Sequence, residues 1–291
     1  MSARRSDALP ARALARLSVD ASPRHVVQVG RSLAKRFLEH GLFVYTSAIS
    51  FRALVALVPL ILLALGLLGA LGQQHVWTQT VAPAIHDRVT PPVYAGINAS
   101  VQKILRSGTA GLIAFASVLL FWYAAAAIMV VMSALNRIHE VEERRSTRRR
   151  LATAAWLAFV TALCVIGAIL VAVLVGQIDA GGVAHALLGV VKWAGAVLLL
   201  GLAVGLLVRF APAERPDARW ASAGSIAVVG GWVITTAAFW WWITTVANFK
   251  TATGQLTFFL LLTGYVFAVC LVFLLGVEFD ELARKEAKSE R

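Results

Sequence analysis

Few ionisable side chains interrupt the long apolar stretches of this 291-residue chain, and they are where chemistry would have to reside. Arg52 lies about two turns into the first apolar block. Glu278 stands near the end of the last block, followed at once by Asp280 and Glu281, and Asn136 and Arg137 follow the second block. If the helices that carry them are neighbours, Arg52, Asn136, Arg137 and Glu278 form a polar cluster near one membrane surface. A guanidinium in such a cluster suits a lipid phosphate, because its fork of N–H donors makes paired charge-assisted hydrogen bonds to phosphate oxygens. The same residues also make a structural ion pair with a snorkelling arginine, which has no ligand at all. Pro59, in the middle of the first block, removes a backbone donor and marks a helix kink, either part of a cavity wall or purely structural.

Soluble-type catalysis finds no motif. His25, His40, His75, His86, His139 and His185 are isolated in sequence, with no HxH, HExxH or CxxC spacing for a metal, and there is no GxSxG, P-loop or dinucleotide fingerprint. We therefore expect no catalytic residue, no metal and no cofactor. The run from Asn136 to Arg145 is rich in titratable groups, but a charged connection between spans has that composition anyway. Cys164 and Cys270 fall inside apolar blocks and read as small core residues.

The elements that must position these residues follow from composition. Hydrophobic residues make up 59% of the chain and charged residues 14%, which excludes a soluble globular protein and a disordered one. Six apolar blocks, at about residues 46–72, 111–134, 151–176, 184–209, 221–247 and 256–279, are each long enough to cross a bilayer as a helix. The fold class is all-α, a polytopic membrane protein with six transmembrane helices and flanking interfacial amphipathic helices. Residues 1–45 form a basic tail, 46–279 the membrane domain, and 280–291 a charged tail.

Six crossings place both termini on one side, and the distribution of charge says which. Of 27 Lys and Arg residues, 21 fall in the two tails and the even-numbered connections, and 4 in the alternate connections. By the positive-inside rule both termini are cytoplasmic. The net charge of +12, which in a soluble protein would suggest nucleic acid, is then an orientation signal and a match to anionic lipid, with no specific nucleic acid implied. Lys192 reads as a snorkelling anchor. Trp156 and Trp220 fall near the predicted cytoplasmic ends, and Trp240, Trp241 and Trp242 near an outer end, as an interfacial belt requires, although the triple Trp could also line a cavity.

Two flanking segments carry helical periodicity. Val26, Val29, Leu33, Phe37 and Val44 share a face opposite Arg31, Lys35, Arg36 and Glu39, which predicts either a helix lying on the membrane or one docked on the bundle. In the outer segment 73–110, Trp77, Val81 and Ile85, then Tyr94, Ile97, Val101 and Ile104, predict two short amphipathic helices flanking Pro91 and Pro92. They form a lid, a partner surface, or a layer packed on the rim. Gly66, Gly69 and Gly72, and the Gly201–Gly205 spacing, are expected to favour close helix packing.

Several stretches together resemble the YihY/BrkB family of bacterial inner-membrane proteins, long labelled ribonuclease BN. They are Ser47-Ala48-Ile49-Ser50-Phe51-Arg52-Ala53-Leu54 leading to Val58-Pro59-Leu60, Leu135-Asn136-Arg137-Ile138 through Glu142-Glu143-Arg144-Arg145, Thr253-Gly254-Gln255-Leu256, and Leu275-Gly276-Val277-Glu278-Phe279. Arg52 stands where the family usually has an aromatic residue. The resemblance implies an envelope protein of the inner membrane, linked in some members to serum resistance as a virulence factor and in others to movement of lipid or lipopolysaccharide precursors. It implies no catalytic residue. The leading expectation is a non-enzymatic protein that moves or presents a lipid or another amphipathic envelope molecule, with anionic lipids as partners. The alternative is a scaffold that recruits envelope proteins through segment 73–110. An RNA-processing nuclease ranks last, because the chain shows no paired acid and base groups or metal set at sequence level.

Overall fold

The computed structural model describes residues 23–86, 89–107, 110–176, 183–214, 223–245 and 251–289. Trp220 lies outside them, as do the side chains of Val26 and Lys192. Every described element is helical. Helix α1 covers Pro23–Glu39 and α2 Leu42–Ala70. A π-helical turn at Val76–Val81 leads into α3 at Ala82–His86 and then α4 at Pro91–Ser107. Then come α5 (Ala110–Ile138), α6 (Thr147–Gly176), α7 (Val183–Phe210), α8 (Ala223–Thr245) and α9 (Ala252–Ser289). Six of these, α2 and α5 to α9, are long and apolar enough to cross a membrane. Several hydroxyls inside them return to their own helix: Thr46 donates to the Leu42 carbonyl, Ser133 to Met129 and Thr235 to Gly231. Such back-bonding lets a hydroxyl sit in a spanning helix without an unmet donor.

The helices pack as α2 with α5, α6 with α7, and α8 with α9. Further contacts of α5 with α6, and of α9 with α2 and α5, join the pairs, whereas α7 meets α8 over few residues. The buried core lies toward the end of the bundle that carries α1, the start of α2 and the end of α9, here called the terminal face. Met132, Leu135 and Ile138 of α5, Leu157 of α6, and Leu274 of α9 are almost wholly buried there with Leu42. The α8–α9 pair crosses closely. A Cβ at Gly231 would lie 2.6 Å from Val272 Cγ1, and one at Gly276 would overlap Val228 and lie 3.0 Å from the Gly224 carbonyl oxygen. Gly201 of the expected GxxxG spacing faces open space. Of the other glycines read as packing positions, Gly69 presses on the Leu105 backbone and Gly66 on Ile113, while Gly72 ends α2 at a φ of 68°.

At the far end, segment 73–110 folds over its described residues as the two short helical stretches its periodicity predicts. Trp77, Ala82, Val101 and Leu105 are buried against Leu65, with Val81, Ile85, Tyr94, Ile97 and Ile104 packed around them. The Trp77 indole N–H donates to Asn98 Oδ1 at 2.9 Å and ties the two stretches together. The segment therefore spends its apolar positions on the end of α2. On the opposite face, α1 packs on α9, with Phe37 buried and Val29 and Leu33 half-buried, so this helix is docked on the bundle; Val44, read on the same face, belongs to α2 and is 71% exposed.

Candidate functional site

Polar side chains from four segments converge on the terminal face. Helix α5 delivers Asn136 in its last turn and then ends in a Schellman-type cap. The Val141 N–H bonds the Asn136 carbonyl at 2.9 Å, the Glu140 N–H bonds the Arg137 carbonyl at 3.3 Å, and Glu140 sits at a φ of 55°. Glycine is the residue that fills this left-handed position without strain, as Gly72 does at the end of α2. The glutamate there holds a side chain that glycine lacks. Its carboxylate receives Lys285 Nζ at 2.7 Å and lies 3.7 Å from both Arg36 Nη2 and His40 Nε2. A strained backbone thus fastens the α5–α6 connection to α1 and α9 at once. The Lys285 hydrogen bond holds the Glu140 carboxyl below the ordinary range.

Glu278 lies one layer deeper and is fully buried. Its Oε2 accepts from the His40 Nδ1–H at 3.0 Å, and its Oε1 stands 3.8 Å from Arg36 Nη1, with neither of those two atoms otherwise hydrogen-bonded. One turn on, Glu281 accepts from the His139 Nδ1–H at 2.7 Å and from Arg284. Asp280 points the other way and accepts from the Gly224 N–H at 2.7 Å, which caps the start of α8.

Glu143 is the hub on the other side of α5. It accepts from Arg145 Nε at 2.8 Å and Nη2 at 2.9 Å, and from Asn136 Nδ2 at 2.9 Å. Asn136 Oδ1 in turn accepts from the Ala213 N–H at 2.7 Å, and Arg145 also donates to the Ala211 carbonyl. The hub therefore stitches α5, the start of α6 and the end of α7 together. Hydrogen bonds from the Arg145 side chain and backbone, aided by Asn136, push the Glu143 carboxyl down to about 2 against the opposing effect of burial. A carboxyl with a lowered folded value adds stability above its unfolded value near 4.5 and loses it as pH falls toward 2. Acid unfolding of the detergent-solubilised protein should thus steepen between those limits. Glu143→Gln should flatten that slope and remove at most about 3 kcal/mol near neutral pH, read by thermal melting across a pH series.

Asn136 and Arg137 line a cleft of about 380 Å³ that also takes in His40, Tyr45, Glu140 and Arg150. Asn136 is buried at its wall and Arg137 is exposed at its rim. Glu278 reaches this group through His40. Arg52 does not join it: its Nη1 donates to the Ala126 carbonyl of α5, ten residues and about 15 Å before Asn136 on that helix. No carboxylate pairs with Arg52 among the described residues. Pro59 is buried within α2, which continues as helix on both sides of it.

Arg36, His40, His139, Glu140, Glu143 and Glu281 carry no site motif along the chain and emerge as site residues only in the fold. His40 and His139 look isolated along the chain, yet each meets a glutamate of α9, 238 and 142 residues away respectively. The readable signal was the Glu278–Glu281 spacing, which puts two acids on one face of a helix and calls for basic partners. Among the described residues, no three His, Cys, Asp or Glu side chains are grouped to hold a metal.

Six spanning helices, closed at one end by an ion-pair layer and at the other by amphipathic helices, define a multi-pass membrane protein. The family model described as virulence factor BrkB matches residues 33–291, and the chain belongs to that family. A Bacillus subtilis (strain 168) protein that bears the name putative ribonuclease-like protein YfkH is 22% identical over 219 residues, covering 72% of this chain and 80% of its own. No solved structure matches the chain.

Proposed function

We infer that this protein moves or presents a phosphate-bearing lipid, or a similar amphipathic envelope molecule, in the bacterial cytoplasmic membrane, with both termini inside. The charge asymmetry of the connections supports that orientation. The observation that carries the lipid reading is Arg52. A guanidinium within a spanning helix is costly, and a single backbone carbonyl satisfies one of its five N–H donors. The remaining donors suit the oxygens of a phosphate that enters between α2 and α5. Asn136, Arg137 and Glu278 take a supporting part at the terminal face: the first two line the entry cleft, and Glu278 anchors α1 beside it.

The nuclease name of the Bacillus relative is that protein's own, and nothing in the ion-pair layer here favours RNA cleavage over a structural clasp. The test is movement of a labelled anionic phospholipid in liposomes that contain the purified protein. Arg52→Gln should slow movement by about tenfold or more, the loss of one charge-assisted interaction in a low-dielectric site, while the melting temperature holds or rises. Movement no faster than in protein-free vesicles for the wild type, or equal rates for both proteins, would overturn the reading.

A further inference from the structure

Two further cavities at the terminal face are both lined by Arg145 and Ala213, and the first shares Glu142 with the cleft of Asn136 and Arg137. The first, about 500 Å³, is lined by Arg144 and Arg149 and by Glu142 and Glu214. The second, about 430 Å³, is walled by Trp156, Phe210, Pro212 and Ala152. Trp156 and Phe210 meet edge to face at 5.7 Å, and Trp156 is 49% exposed. A charged compartment thus opens onto an apolar one at the α6–α7 end of the terminal face, where a lipid headgroup would sit above its chains.

The charges in the first compartment narrow the class of headgroup. Arg145 also lines it but is already committed to Glu143 and to the Ala211 carbonyl. Of the rest, Arg144 and Glu142 stand 4.0 Å apart on side chains more than 80% exposed, a pairing too weak to neutralise either. The Arg149 guanidinium has no carboxylate partner among the described residues. Two cations and two carboxylates remain on one wall. A purely anionic headgroup would meet the arginines but also the repulsion of Glu142 and Glu214. A phosphate that carries a primary ammonium satisfies both sets: the phosphate oxygens accept from Arg144 and Arg149, and the ammonium donates three N–H bonds to the carboxylates. A trimethylated ammonium has no such donors.

We propose that this groove is a binding site for an aminophospholipid such as phosphatidylethanolamine, with its phosphate on Arg144 and Arg149, its ammonium on Glu142 and Glu214, and an acyl chain along Trp156 and Phe210. The proposal rests on the lipid reading above for its purpose, and on the groove itself for its ligand.

The test is lipid retention by the purified full chain after equilibration with equimolar phosphatidylethanolamine, phosphatidylglycerol and phosphatidylcholine of identical chains, read by native mass spectrometry. Wild type should retain phosphatidylethanolamine about tenfold over phosphatidylcholine, the value of one charge-assisted hydrogen bond. The pair R144Q/R149Q should lose that retention, and E142Q/E214Q should shift the preference to phosphatidylglycerol. These side chains are exposed, so equal melting temperatures confirm that the variants fold. Retention without headgroup preference in the wild type, or unchanged phosphatidylethanolamine on R144Q/R149Q, overturns the site. Lipid movement that depends on Arg52 together with an unselective groove removes this proposal and leaves the proposed function. A selective groove in a protein that moves no lipid does the reverse.

Discussion

Gly276→Ala should destabilise the protein by about 3 kcal/mol or more, although alanine favours helix over glycine by about 1 kcal/mol. The reason lies in the α8–α9 crossing. A Cβ at Gly276 overlaps Val228 and approaches the backbone oxygen of Gly224, and a Cβ at Gly224 comes within 2.5 Å of the Asp280 carboxyl carbon and overlaps the Gly276 carbonyl. The clash with Val228 can relax through a rotamer, but the backbone of Gly224 cannot retreat without parting the helices. Parting them would also lengthen the hydrogen bonds that cross the pair, from Trp232 Nε1 to the Val269 carbonyl at 2.9 Å and from the Gly224 N–H to Asp280 at 2.7 Å. Gly264→Ala, on the same helix with nothing within 4 Å of its Cβ, is the control and should be neutral or slightly stabilising. Thermal unfolding of the two variants in one detergent decides the matter: equal melting temperatures would mean that α8 and α9 do not cross this closely.

Glu278→Leu should cost about 3–5 kcal/mol, the usual penalty for removing one partner of a buried ion pair. Arg36 Nη1 is buried and without a hydrogen bond even when Glu278 faces it, and His40 would lose the acceptor of its Nδ1–H. Helix α1 should then loosen on α9, because this ion pair shares the work of holding it with the contacts around Phe37 and the Glu140 bridge between Arg36 and Lys285. Hydrogen exchange across residues 29–40 should rise toward the rate of an unprotected helix, while exchange in α5 and α6 stays low because the Glu143 hub is intact. An apolar replacement of all three groups, E278L/R36M/H40L, should recover most of the loss, since hydrophobic packing offsets the charges it replaces. Unchanged protection of α1 in the single variant would show that the Phe37 contacts and the Glu140 bridge alone dock it.

The membrane spans were legible because each is a local property: twenty or more apolar residues in a row determine a helix of spanning length whatever surrounds it. The same held for segment 73–110, where periodicity around Pro91 and Pro92 identified the residues from Trp77 to Ile104 that face inward. Polar partnership was not legible, because it depends on which helices are neighbours. Arg52 and Glu278 looked like members of one cluster when only their depth in their own helices was known. The pairing of α2 with α5 turns Arg52 toward Ala126, and the docking of α1 on α9 supplies Arg36 and His40 to Glu278 instead.

The glycines divide in the same way. The Gly201–Gly205 spacing can be read from one helix alone, whereas the α8–α9 crossing needs Gly224 and Gly231 on α8 to meet Gly276 and Val272 on α9. By itself, then, the sequence determined that the chain is helical, that it has six segments long and apolar enough to cross a membrane, and that its basic residues concentrate in the tails and the even-numbered connections, since these follow from runs, periods and totals. The tertiary structure alone decided which charges meet, because an ion pair spans two helices and its energy depends on a distance that no single helix contains.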